Sequence, residues 1–246
     1  MLNSEKEGFF RAELTGMPVY STRVMHIKKE NAVCITGHRE KSIVPYNNDP
    51  ANLDITLFAV KAMLNGYLSA TFKKGYTTII SGLAEGIDLW AAKIAICQKR
   101  YENERHLIGV MPYRRHFHGF SEENRTLLQE VERYADFLVS TCDNPDMVYG
   151  KKATASTDPQ IYRKRNYYMV DNCSVVIAFY NEDNPRSGTG QTIRYAKQQD
   201  KHILCFNSED IYELIEKTDG DKMAICEAMK KLDLDLPKAD YSERQI

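Results

Sequence analysis

The strongest constraint on this chain is an alternation. Short β-branched runs end in glycine, proline or small polar residues, and each leads into an amphipathic helical stretch. Ala32-Val33-Cys34-Ile35-Thr36 closes on Gly37-His38-Arg39, and a loop from Pro45 to Pro50 follows. A helix is then expected from Asp54 to Lys73, because Leu57, Val60, Met63, Leu64 and Leu68 recur at three- and four-residue spacing. Thr77 to Ile80 closes on Ser81-Gly82 and precedes a helix to Lys99. His106 to Val110 ends at Met111-Pro112, before a helix from Ser121 to Tyr134. Asp136 to Ser140, Ser174 to Tyr180 and His202 to Phe206 complete the strands. Helices are expected at Pro159–Asn172, from Gly188 to Gln199, and at Asp221–Leu232. Strand–helix alternation argues for an α/β fold: a three-layer, doubly wound, mostly parallel sheet with helices on both faces.

Length and composition narrow the choice. The 246 residues suit one large domain, and 43% hydrophobic with 27% charged residues is ordinary for a globular chain. The expected division is an extension over 1–30, the α/β domain over 31–207, and a helical extension over 208–246. The first thirty residues are polar, with an edge strand expected between Val19 and Ile27. Lys+Arg is 33 and Asp+Glu is 34, so no global basic field exists to draw the chain to nucleic acid or membrane. No apolar run approaches the ~18 residues of a membrane span. The six cysteines lie about twenty residues or more apart, which reads as free thiols in a reducing cytoplasm rather than a disulfide framework or a metal knuckle.

In sheets of this kind ligands bind beyond the carboxyl ends of the strands, where the strand order reverses. The residues there are therefore the informative ones. Ser187-Gly188-Thr189-Gly190-Gln191-Thr192 opens a helix after the fifth strand, and free N–H groups at such a helix start hold phosphate. It is neither a Walker A loop nor a full dinucleotide fingerprint. Ser81-Gly82-Leu83-Ala84-Glu85-Gly86-Ile87-Asp88 is a second glycine turn. Glu85 and Asp88 are its candidate bases or ribose-binding groups, although carboxylates also favour a helix N-terminus for electrostatic reasons. Arg39 suits a phosphate and His38 a proton exchange. Arg114, beside Arg115, follows the third strand. Arg163, Lys164, Arg165 and Asn166 form a cationic helical turn, with Arg165 and Asn166 the expected contacts. His116 and His118 have no visible third ligand, so no metal is expected.

These motifs together resemble the YpsA-like proteins. Val33 to Arg39 is similar to their TGHR opening, and Ser81 to Ala92 to their second strand–turn–helix. Arg165 to Asp171 with Val175 to Ala178 resembles a third motif, and Ser187 to Ala196 resembles the closing GGTGxTVRYA stretch. The resemblance spans Ala32 to Phe206. It implies membership of the SLOG group of Rossmann-like domains, which includes DprA-like DNA-processing proteins and LOG phosphoribohydrolases. It also implies a pocket for a nucleotide-derived or ADP-ribose-like small molecule. Thr36, Gly37, Arg39, Gly82, Gly86, Asp88, Gly188, Thr189, Gly190 and Thr192 are carried over to that pocket. SLOG relatives often pair through helices beside the pocket, which leaves a homodimer open. The chain departs from LOG enzymes at their catalytic glutamate: Arg194 and Tyr195 follow Thr192-Ile193, and Pro185 sits one residue further from the glycines. Ser187 stands where the closer family has glycine.

Three functions follow. The first is a sensor or sequestering protein for a nucleotide-like molecule, needing no cofactor. The second is a nucleotide N-glycosidase in which Asp88 or Glu85 stabilises a ribosyl cation or activates water. The third is single-stranded DNA binding through Arg163 to Tyr168, which the balanced charge opposes.

Overall fold

One eight-stranded sheet carries the fold. In a computed structural model of the chain, the described residues are 9–43, 47, 49–101, 104–149, 158–181 and 186–239. The strands are β1 (Phe10–Arg11), β2 (Pro18–Ser21), β3 (Ala32–Gly37), β4 (Thr78–Ser81), β5 (His106–Met111), β6 (Phe137–Ser140), β7 (Val175–Phe179) and β8 (His202–Phe206). The helices are α1 (Leu53–Lys73), α2 (Ile87–Lys99), α3 (Glu122–Tyr134), α4 (Pro145–Tyr149), α5 (Pro159–Asp171), α6 (Gly188–Gln198), α7 (Ser208–Lys217) and α8 (Lys222–Lys230). Their order across the sheet is β1-β2-β6-β5-β4-β3-β7-β8, parallel throughout except for β1 against β2. The chain steps outward from β3 to β6, then crosses back through α5 to place β7 on the other side of β3. The reversal of direction therefore lies between β3 and β7, where Gly37 is paired with Phe179.

Alternation along each strand builds the three layers. On β3, Val33 and Ile35 face a core shared with α1, α2, α3, α7 and α8. Ala32 and Cys34 face a smaller core closed by Met169 and Val170 of α5 and Ala196 of α6. The long helix corrects one sequence expectation. The stretch Pro50–Lys73 is apolar and long enough by composition to cross a membrane, but half of its most apolar window is buried within the fold. Its apolar residues pack against α2, α7 and α8, which is the duty of a core helix.

Two ends of the chain differ from expectation. The edge strand is Pro18–Ser21 rather than a run reaching Ile27, and it pairs with β6 while β1 folds back on it. Glu132 of α3 is buried and accepts a hydrogen bond from Thr15 at 2.6 Å, which ties this segment down. At the other end, α7 had no counterpart in the sequence reading. It starts from a reciprocal capping box between Asn207 and Asp210. Beyond α8, Leu234, Leu236 and Ala239 are buried, and the Tyr76 hydroxyl donates to the Pro237 carbonyl at 3.1 Å. The expected loops at Pro45–Pro50 and Tyr149–Asp158, and Pro185, fall largely outside the described residues.

Candidate functional site

The carboxyl ends of β3 and β4 are locked together by the turn between β4 and α2. Ser81 Oγ accepts from Leu83 N–H at 3.2 Å and donates to the Asp88 carbonyl at 2.8 Å, which folds the turn over the strand end. Gly86 has φ +86°, and a Cβ there would stand 2.7 Å from the His38 carbonyl and 2.9 Å from Arg39 Cα. Only glycine suits that backbone and that spacing. The same approach lets Ile87 N–H donate to the His38 carbonyl at 3.3 Å. The Thr36 to Arg39 segment therefore rests on this turn.

Beneath the turn lies a buried ion pair. Arg165 reaches across from α5, donates to the Gly82 carbonyl, and places Nη1 3.9 Å from Asp88 Oδ2. Both residues are buried, at 6% and 4% exposure. A Cβ on Gly82 would lie 2.3 Å from Arg165 Nη1, so the guanidinium occupies the space a side chain would need. Burial pushes the Asp88 carboxyl up to about 6, against the lowering influence of Arg165, the backbone N–H groups of Ala84 and Gly37, and Arg39. Burial also pulls the Arg165 guanidinium below its ordinary range. Asp88 thereby gathers the ends of β3 and β4, the start of α2 and the middle of α5 onto one carboxylate. Arg39 itself is exposed at the rim.

His38 joins the two strands at the reversal. It is buried, packs against Phe179 and Tyr180, and its Nε2 accepts from Asn181 N–H at 3.1 Å. Across from it, Ser187 caps α6 by accepting from Gly190 N–H at 3.0 Å. Thr192 donates to the Gly188 carbonyl at 2.8 Å and accepts from Asn166 at 2.9 Å, joining α6 to α5. Thr36, Thr189 and Thr192 are buried, whereas a Cβ at Gly188 would meet no described residue of another element within 4 Å.

Two expected contacts are engaged elsewhere. Glu85 accepts from Ser121 N–H and from the Asn124 amide, both at 3.1 Å, so its carboxylate braces the start of α3. Arg114 donates to the Val148 carbonyl at 3.1 Å and lies 3.9 Å from Glu13. Sequence reasoning missed the surroundings of Arg165. Tyr113 is fully buried, with its hydroxyl 3.1 Å from that of Tyr162. His116 is buried, with Nδ1 3.1 Å from the Tyr113 carbonyl. Burial, then the charge of Arg165, pulls its imidazole down to about 4, so it is neutral. The available signal was the run of aromatic residues around His116, namely Tyr113, Phe117 and Phe120. Among the described residues no group of three or more His, Cys, Asp or Glu is placed to hold a metal ion.

An open parallel sheet, reversing beside its first long strand and rimmed by glycine turns, defines a Rossmann-like α/β domain. Residues 33–211 match the family model YpsA, described as the YspA SLOG family, and the chain belongs to that family. UPF0398 proteins of Bacillus thuringiensis (strain Al Hakam) and Bacillus cereus (strains AH187 and Q1) are each 22% identical over 191 residues, covering 75% of this chain and 95% of the relative. The X-ray structure of DNA processing protein A (DprA) from Streptococcus pneumoniae is 19% identical, with a TM-score of 0.45. That match covers 76% of this chain and 57% of DprA, so the chain spans a little over half the length of that protein.

Proposed function

We propose that the chain binds a nucleotide- or ADP-ribose-like small molecule at the strand-order reversal, as a sensor or sequestering protein of the SLOG type in the cytoplasm. One observation carries this reading. The capped start of α6, with open space at Gly188, stands at the same end of the sheet as the exposed Arg39. A helix start of eleven residues and a rim arginine suit a phosphate, and the buried Asp88–Arg165 pair holds the rim in place. The free cysteines fit a reducing compartment.

A second reading, nucleotide N-glycosidase, draws on one feature. A carboxyl pushed up to about 6 is suited to proton transfer near neutral pH. Against it, Asp88 is held by Arg165 and two backbone N–H groups, and Glu85 is engaged by α3. Binding without turnover is therefore the better-supported function.

A thermal-shift panel of AMP, ADP, ATP, NAD and ADP-ribose on wild type and Arg39→Ala tests the reading. A ligand at 100 times its Kd adds ~2.7 kcal/mol, a shift of several degrees. The expected result is a shift in wild type that Arg39→Ala abolishes, with no free base after incubation. No shift with any compound overturns the reading, and release of free base turns it into the glycosidase.

A further inference from the structure

Helix α5 has two working sides. Tyr162, Arg165 and Asn166 point one side toward the strand-order reversal through their contacts with Tyr113, Gly82 and Thr192. Gln160, Arg163, Lys164, Tyr167, Tyr168 and Asp171 recur at three- and four-residue spacing on the other. That second side lines a separate cavity of about 430 Å³, closed by Tyr195 of α6 and by Thr22 and Thr141, which follow β2 and β6. The volume falls within the ~300–1,000 Å³ of small-molecule sites.

The lining has a definite chemistry. The Tyr167 and Tyr195 rings stack on each other at 3.8 Å between centroids, 14° from parallel, which leaves an outer face for a further ring. Arg163 and Lys164 supply two cations. The carboxylate of Asp171, on the same lining, already accepts from the Tyr195 hydroxyl at 2.8 Å. Among the described residues Lys164 pairs with Asp143 alone, in an exposed contact at 3.7 Å that an anion displaces at little cost.

We propose that this cavity is a second ligand site, for a nucleoside 5′-phosphate. The base stacks on an outer face of the Tyr167–Tyr195 pair, and the phosphate lies between Arg163 and Lys164. The chemistry is shared by a free nucleotide and by the phosphorylated end of a nucleic acid strand. The site does not depend on the function proposed for the strand-order reversal.

Isothermal titration of the full chain with AMP tests it, using Lys164→Glu and Arg39→Ala. Lys164→Glu should weaken one binding event at least about ten-fold. The event should persist in Arg39→Ala. If Lys164→Glu leaves all AMP binding unchanged, or if Arg39→Ala abolishes it entirely, the second site is overturned. If AMP binding is lost in Lys164→Glu and intact in Arg39→Ala, the second site stands and the reversal point does not bind AMP. The 5′-phosphorylated dinucleotide pApA binding more tightly than AMP assigns the site to strand ends, and weaker or equal binding assigns it to free nucleotides.

Discussion

Two glycine turns look alike in sequence and do different work. At the β4–α2 turn the positions a side chain would fill are already taken: by Arg165 and Asp88 at Gly82, and by the His38 and Arg39 backbone at Gly86. At the start of α6 the space beside Gly188 is open. The first turn is glycine-rich because the protein packs against itself. The second is glycine-bearing where no described residue of another element comes close to Gly188. A ligand-binding reading therefore weighs most on the second, while the first serves as its foundation.

The comparison is broken most forcefully at Arg165. Replacing it with alanine leaves Asp88 buried without its cation, at a cost of roughly 3–5 kcal/mol. Chemical denaturation should show that loss, and a cost under about 1 kcal/mol would mean the ion pair does not hold the rim. Next comes Gly86→Ala, which meets both a forbidden backbone region and the His38 carbonyl. It should cost roughly 2–4 kcal/mol. Gly188→Ala should by contrast change stability by less than about 0.5 kcal/mol. Equal costs at the two glycines would erase the distinction between the turns.

The pH dependence sharpens the same contrast. Asp88 is raised from 3.8 to about 6 in the folded chain, chiefly by burial. The folded state thus holds its proton where the unfolded state has released it. The resulting stability is full below pH 3.8 and is lost as the pH rises through about 6. Subtracting the stability profile of Asp88→Asn from that of wild type should leave a fall across this window. A flat difference would contradict the buried placement of the carboxyl. A small effect belongs to the cap of the open turn: Ser187→Ala removes the bond to Gly190 N–H and should cost about 1 kcal/mol.

Much of the fold was legible because its signals are local. Val33 and Ile35 alternate with Ala32 and Cys34, and the helical runs keep their spacing, so strands and helices followed from period alone. What escaped depends on distant partners or on reciprocal caps. Helix α7 announces itself by Asn207 and Asp210, a pattern easily taken for a polar loop. Gly37, Gly82, Gly86 and Asp88 were legible as a cluster, but the reason for Gly82 was not. That reason is Arg165, more than seventy residues further along the chain. Glu85 and Asp88, three residues apart, were both candidate bases, yet one braces α3 and the other lies buried under the turn. Tyr113 and His116 read as an ordinary loop because their burial comes from the fold around them.

The central claim is that the open start of α6 is where a ligand's phosphate sits. Gly188→Phe tests it most directly, since beyond its chain neighbours and its own helix no described residue lies within 4 Å of the new Cβ. The free variant should melt close to wild type and lose the ligand-induced thermal shift. An undiminished shift in a normally folded Gly188→Phe would place the ligand elsewhere and contradict the account.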